Sequence, residues 1–274
     1  PDSHKPAADC RIIHVGPNPL WSRYPVRNHR SDLALAGETA DIVLALAAAM
    51  GAHRKPAGAA KRRQKIIERT QATRAAVDAR AKAGRLGAMT KEFVALSVSD
   101  AVAGVRNKAV LTELGCPLAP MTYREHDRWF QAPHSGGLGW GFTTALGMQL
   151  ADRDKLVVAT MGDGSYIFAN PTACHQIAEA LELPLLVVVL DNEEWGAVRT
   201  SVKMLYPDGQ AVKANRMPLT SLAPQPDFTL TARASRAWTV TVTDGEKLPA
   251  ALADAIAHVQ TKRTQALVHV KVRA

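Results

Sequence analysis

The chain has 274 residues, 47 % of them apolar and 5 % aromatic, and its 34 Lys and Arg against 25 Asp and Glu give a formal charge of +9. That length can bury a real core in one large or two modest domains, and the balance is that of a globular α/β protein rather than a disordered chain. The longest apolar runs, 183–190 and 42–50, fall well short of the roughly 20 residues that span a bilayer, so no membrane partner is expected.

The first ten residues have no initiating Met and no basic region followed by an apolar core, so no secretory signal is read there and the chain is expected to be entered partway. Cys10, Cys116 and Cys174 are odd in number, far apart and without zinc spacing, which points to a reducing, cytoplasmic setting. The positive charge is concentrated. Residues 51–88 hold eleven Lys and Arg against Glu68 and Asp78, which accounts for the whole excess. Ala-rich and without interleaved aromatics, the stretch reads as a solvated helical linker and not as a nucleic-acid site.

In chain order, 11–15 reads as a strand ending at the turn Gly16-Pro17-Asn18-Pro19, and 33–35 is another short apolar stretch. Ile42, Val43, Leu46 and Met50 recur at helical spacing over 39–50. Residues 1–50 thus look like the end of an α/β domain, with 51–88 as linker and a second body over 89–274. In that body helices are expected at 91–105, 141–151, 171–181 and 248–260, and strands at 109–111, 156–161, 185–190, 237–242 and 266–272. Strands apolar at every position, alternating with helices, specify an α/β fold with a parallel sheet covered on both faces. Ligands of such sheets sit outside the carboxyl ends of the strands.

Two strands run into polar groups that could share one ion. The strand 156–161 leads into Gly162-Asp163-Gly164-Ser165, and 185–190 leads into Asp191-Asn192. A hard cation such as Mg²⁺ takes carboxylate, amide and carbonyl oxygens together with phosphates. Gly162 and Gly164 let the backbone approach a phosphate, to which the Ser165 hydroxyl can donate. Between them a helix is expected with Asn170 as N-cap, Pro171 at its first position, and Ala173, Ile177, Ala180 and Leu181 inward. His175 on that helix reads as a packing residue.

The Gly162-Asp163-Gly164 run, followed after residues 165–190 by Asp191-Asn192, resembles the signature of thiamine-diphosphate-dependent enzymes, where a GDG precedes a pair of asparagines. The segment from His134 to Phe142, with Gly136, Gly137, Leu138, Gly139 and Gly141, is similar to the loop and helix start upstream of the GDG in benzoylformate decarboxylase and acetolactate synthase. Asn192 to Arg199 continues the likeness to benzoylformate decarboxylase. The resemblance covers about 89–274 as diphosphate-binding domain, and more weakly 1–50 as the end of a middle domain.

That resemblance implies thiamine diphosphate and Mg²⁺ as cofactors. It makes Asp163, the Asn192 side chain and the Glu194 carbonyl the metal ligands. Gly162, Gly164 and Ser165 would meet the diphosphate with help from Gly115 and Cys116. Leu138 would prop the bent cofactor, the Gly136 carbonyl would accept from the aminopyrimidine, Trp195 would form a wall, and His134 is the candidate catalytic residue. Asp191 departs from the first asparagine of the pair, changing local charge without removing the ligand. Glu113 resembles a common acidic residue to which no catalytic role is attached.

The implied activity is C–C cleavage or formation on a 2-oxo acid or a 2-hydroxyacyl substrate. The activating glutamate of the family belongs to a pyrimidine-binding domain that these residues do not contain. A missing N-terminal part or another chain would supply it, within a homodimer or tetramer. Ser201 stands where acetolactate synthases carry a Trp, which counts against a true acetolactate synthase. Alternatives are a nicotinamide-dependent dehydrogenase, opposed by Phe142 where GxGxxG needs Gly, and a non-enzymatic nucleic-acid-binding protein.

Overall fold

The structure, a computed structural model, describes residues 5–25, 30–51, 57–123, 125–131 and 137–273. Contacts divide the chain into two units, Pro1–Glu68 and Arg69–Ala274. In the first, strands β1 (Ile13–Gly16) and β2 (Leu33–Ala36) pair in parallel, and β2 leads to helix α1 (Thr39–Gly51). Helix α2 (Ala59–Ala83) crosses the boundary between the units. Its side chains are largely exposed, and in its portion within the second unit Arg74 donates to the Ala119 and Met121 carbonyls and to Thr122 Oγ1 at 2.8–3.1 Å.

The second unit opens with α3 (Lys91–Ala101), where Thr90 Oγ1 accepts from the Phe93 N–H as N-cap. Then follow β3 (Lys108–Glu113), β4 (Trp129–Gln131), α4 (Trp140–Ala151), β5 (Leu156–Gly162), α5 (Asp163–Phe168), α6 (Pro171–Ala180) and β6 (Leu185–Asp191). The chain continues with α7 (Gly196–Leu205), α8 (Gln210–Lys213), α9 (Phe228–Arg233), β7 (Trp238–Val242), α10 (Leu248–Lys262) and β8 (Ala266–Lys271). The six strands from β3 onward form one sheet in the order β4-β3-β5-β6-β8-β7, parallel throughout. Helices cover both faces, as the apolar strands require.

Side-chain alternation sorts the core. Val158, Val188, Leu190 and Val268 face α3 and α10, where Phe93, Val98, Leu252 and Val259 meet them. Val157, Ala159, Val187 and Val189 face the other way, toward Phe142 of α4, Cys174 of α6 and Phe228 of α9. Every residue of β5 and β6 is buried. These are the strands that deliver the polar residues singled out in the sequence.

Some expectations need correction. The helix expected at 91–105 ends at Ala101, with Val102 as C-cap. At the GDG run, Asp163 begins the short helix α5. On α6 the buried residues are Cys174, His175 and Ala178, while Ile177 and Leu181 are exposed. Asn170 precedes the helix in a left-handed conformation and makes no side-chain cap.

The face of α6 is turned by His175, whose Nδ1 lies 2.7 Å from Gln265 Oε1 and whose Nε2 lies 2.8 Å from the Tyr166 hydroxyl. Gln265 Nε2 donates to the His175 and Ser235 carbonyls, so its oxygen faces the ring, Nδ1 carries the proton, and Tyr166 donates to Nε2. Burial pushes the imidazole pKa down to about 4. Among the described residues no helix is long and apolar enough to cross a membrane.

Candidate cofactor and metal site

β5 and β6 are neighbours with Gly162 opposite Leu190, so Asp163 and Asp191 leave the sheet at one level of its carboxyl edge. The condition on which a shared ion depended is therefore met. Asp163 is 3 % exposed; its Oδ1 accepts from the Gly164 N–H and its Oδ2 from Gln225 Nε2, both at 2.9 Å. Burial, and then the Asp191 carboxyl beside it, raise its pKa above the usual carboxylate range.

The Asn192 amide is oriented with its oxygen 3.2 Å from Asp163 Oδ1 and 3.0 Å from the Glu194 carbonyl oxygen. Turned over, the amide would donate to both; as oriented, its oxygen faces two other oxygens, an arrangement a cation between them would satisfy. In an octahedral magnesium site with Mg–O bonds of about 2.0–2.1 Å, neighbouring ligand oxygens stand about 2.9 Å apart. Calcium's longer bonds spread such oxygens to about 3.3–3.7 Å. The 3.0–3.2 Å spacings fall between those two ranges. The donors are a carboxylate, an amide and a carbonyl, the all-oxygen set of a hard cation, and the described residues hold no metal-binding cluster of His, Cys, Asp and Glu.

The loop that carries two of these oxygens is fixed from below and from the side. Glu193 has φ 59°, and its N–H donates to Asp191 Oδ1 at 2.9 Å. Asp191 is 1 % exposed and takes hydrogen bonds on Oδ2 from His269 Nε2 at 2.7 Å and Lys271 Nζ at 2.6 Å. Burial alone would raise its pKa, but those donors hold the carboxyl well below the usual range. From the side, segment 217–225 runs against the loop. The Trp195 N–H donates to the Thr220 carbonyl at 2.7 Å, the Leu222 N–H to the Glu193 carbonyl at 2.9 Å, and Thr220 Oγ1 to Glu194 Oε1 at 2.9 Å.

Ser165 is 2 % exposed, and its Oγ has no hydrogen-bond partner among the described residues. A buried hydroxyl left without a partner costs about 1–3 kcal/mol, so a ligand oxygen is its natural complement. The Trp195 indole packs against the backbone beside it, since a Cβ on Gly164 would come within 2.4 Å of Trp195 Cζ3. Phe168 meets the same indole edge-on at 6.0 Å.

Gly115 and Cys116 turn above β5. The Cys116 N–H donates to Thr160 Oγ1 at 3.3 Å, and burial raises its thiol to about 12, so this cysteine stays protonated. The turn borders a cavity of about 540 Å³ that Lys91 and Arg273 also line. Lys91 Nζ donates to the Leu114 carbonyl at 3.1 Å, and its pKa is lowered by burial against the pull of Asp163.

Leu138 is partly exposed and stands just before Gly139, where φ is 91° and a Cβ would come within 2.9 Å of Ala169 Cα. Glu113 anchors this corner: its carboxylate accepts from the Gly139 N–H at 2.6 Å and the Gly141 N–H at 2.5 Å. His134 and Gly136 lie outside the described residues. The sequence reading missed Gln225, Lys91 and the anchoring by Glu113. Only Glu113 gave a signal, an acid at a strand end.

A family model described as thiamine pyrophosphate enzyme, C-terminal TPP binding domain, matches residues 115–270. The chain belongs to this family. Among curated proteins, acetolactate synthase isozyme 3 large subunit of Escherichia coli (strain K12) is 30 % identical over 138 residues, covering 50 % of this chain and 22 % of that one. Benzoylformate decarboxylase of Pseudomonas aeruginosa is 37 % identical over 67 residues, 24 % of this chain and 12 % of its own. The chain spans less than a quarter of the length of these relatives.

A solved thiamine diphosphate-dependent 4-hydroxybenzoylformate decarboxylase from Rhodococcus jostii RHA1 superposes with a TM-score of 0.57 at 23 % identity, over 68 % of this chain and 33 % of that one. That likeness establishes the fold. The chain therefore carries the TPP-binding domain of a thiamine-pyrophosphate enzyme of acetolactate synthase and benzoylformate decarboxylase type, and membership removes the dehydrogenase alternative.

Proposed function

We propose that this chain supplies the diphosphate- and Mg²⁺-binding half of a lyase or carboligase that makes or breaks a C–C bond in 2-oxo acids or 2-hydroxyacyl substrates. The observation that carries the metal assignment is the Asn192 side-chain oxygen lying 3.2 Å from Asp163 Oδ1 and 3.0 Å from the Glu194 carbonyl oxygen. Those three atoms would hold the ion, which would tie the cofactor's diphosphate to the edge of the sheet. Ser165 Oγ and the backbone at Gly162 and Gly164 receive the diphosphate, with Gly115 and Cys116 bordering it. Leu138 gives the middle of the cofactor an apolar rest, and Trp195 closes the floor. Thiamine diphosphate, when bound, supplies the electron sink for chemistry next to a carbonyl carbon.

The chain's own contribution is to bind the diphosphate, exclude water beneath Trp195 and hold the cofactor against Leu138. His134 and the Gly136 carbonyl remain the candidates for proton handling and aminopyrimidine recognition. The activating carboxylate is assigned to a pyrimidine-binding domain, from further sequence of the same polypeptide or from a partner in a homodimer or tetramer. Titration calorimetry of thiamine diphosphate with Mg²⁺ tests the site directly. Asp163→Ala is expected to abolish metal-dependent binding, and unchanged affinity in that variant rejects the assignment.

A further inference from the structure

We propose that Gln225 is a positioning residue that makes Asp163 a one-oxygen ligand and thereby biases the site toward magnesium over calcium; this rests on Asp163 being the metal carboxylate. Gln225 stands 62 residues downstream, yet its Nε2 donates to Asp163 Oδ2 at 2.9 Å. A carboxylate only accepts, so the amide nitrogen has to face it. That bond occupies Oδ2 and leaves Oδ1 turned toward Asn192 and Glu194.

Gln225 is itself held in place. The strap before it is pinned to the metal loop by the Trp195–Thr220 and Leu222–Glu193 backbone bonds and by the bridge between Glu194 and Ser221. After it, Asp227 caps α9 by accepting from the Thr229 and Leu230 N–H groups. A single strap therefore fixes the height of the Glu194 carbonyl and the rotation of the Asp163 carboxylate together.

The consequence lies in the ion selected. Calcium accepts a carboxylate through both oxygens and tolerates six to eight ligands, whereas magnesium takes one oxygen at an octahedral corner. With Oδ2 engaged by Gln225, the two-oxygen mode is blocked. Removing the amide frees the carboxylate to rotate, which loosens the magnesium geometry and opens the calcium one.

The test uses the full chain with thiamine diphosphate present, following the free Mn²⁺ signal by electron paramagnetic resonance and displacing bound Mn²⁺ with Mg²⁺ or Ca²⁺. Loss of a partner to a metal ligand typically costs 10–100-fold in affinity, so Gln225→Leu is expected to weaken Mg²⁺ by about that factor. Ca²⁺ should weaken less, lowering the Mg²⁺ preference by about 10-fold. Gln225→Met, closer in shape, should behave alike, and circular dichroism checks that each variant is folded. A parallel loss for both ions, or no change in either, overturns the role of Gln225 while leaving the site intact. Asp163→Asn separates the two ideas: if it binds Mn²⁺ as the parent does, the metal site itself is wrongly placed.

Discussion

Acid should weaken the second unit through one imidazole. His175 is fully buried between Tyr166 on α5 and Gln265 at the start of β8, and its pKa falls from 6.5 to about 4 on folding. A histidine kept neutral by the fold binds its proton more readily when unfolded, so the stability it permits is complete above pH 6.5 and is lost as pH falls toward 4. A depression of that size corresponds to about 3 kcal/mol, a large share of the roughly 5–15 kcal/mol by which domains are stable. Urea unfolding at closely spaced pH values, followed by near-ultraviolet circular dichroism of the cluster of Phe142, Tyr166 and Phe228, measures it. In His175→Gln the pH profile between 7 and 4 should flatten by about 3 kcal/mol, even though the variant is less stable at pH 7. Parallel profiles for parent and variant would refute the assignment of the acid sensitivity to this ring. Because Tyr166 directly follows Ser165, the same protonation should disturb the cofactor turn before the whole unit melts.

Leu138→Ala should weaken turnover of the complete enzyme more than it weakens Mn²⁺ binding, measured by steady-state kinetics beside metal titration, since its proposed contact is with the cofactor's middle and not with the ion. Residues 1–274 alone are expected to bind thiamine diphosphate without turning over 2-oxo acids or 2-hydroxyacyl thioesters. Positioned acid–base groups contribute typically 10²- to 10⁴-fold, and activity appearing only when a pyrimidine-binding half is added is the outcome that a decarboxylation assay should report.

What could be read in advance was whatever is local in the chain. The strands β5 and β6 announce themselves because every residue of 185–190 is apolar, and the polar residues that end them follow directly. Neighbourhood of the two strands is not local, and the register of Gly162 against Leu190 had to come from the structure. The same limit hid Gln225, which reaches Asp163 across 62 residues with no motif around it, and the inward turn of α6, which depends on a glutamine 90 residues beyond His175. A helical wheel drawn for α6 places Ile177 and Leu181 inside because it weighs hydropathy alone. The buried face instead carries a histidine whose two nitrogens are both satisfied, and polarity that is fully paired costs little to bury.

Asp191 shows how a departure from the family pattern is absorbed. An added carboxylate beside Asp163 would by itself repel the metal carboxylate when no cation lies between, and a buried unpaired charge costs several kcal/mol. Here the added carboxylate lies beside Asp163 and takes donors on both of its oxygens. Oδ2 takes both His269 Nε2 and Lys271 Nζ, Oδ1 takes the Glu193 N–H, and Lys271 also reaches Glu193 Oε1 at 2.6 Å. The register places Lys271 of β8 opposite Asp191 and His269 two residues earlier on the same strand, so both partners arrive on one sheet face at the required height. Since a carboxylate only accepts, Nε2 of His269 carries the proton, which leaves Nδ1 toward Thr241 Oγ1. The charge is thus spent on fixing the base of the 191–194 loop, while Asn192 remains the residue that faces Asp163.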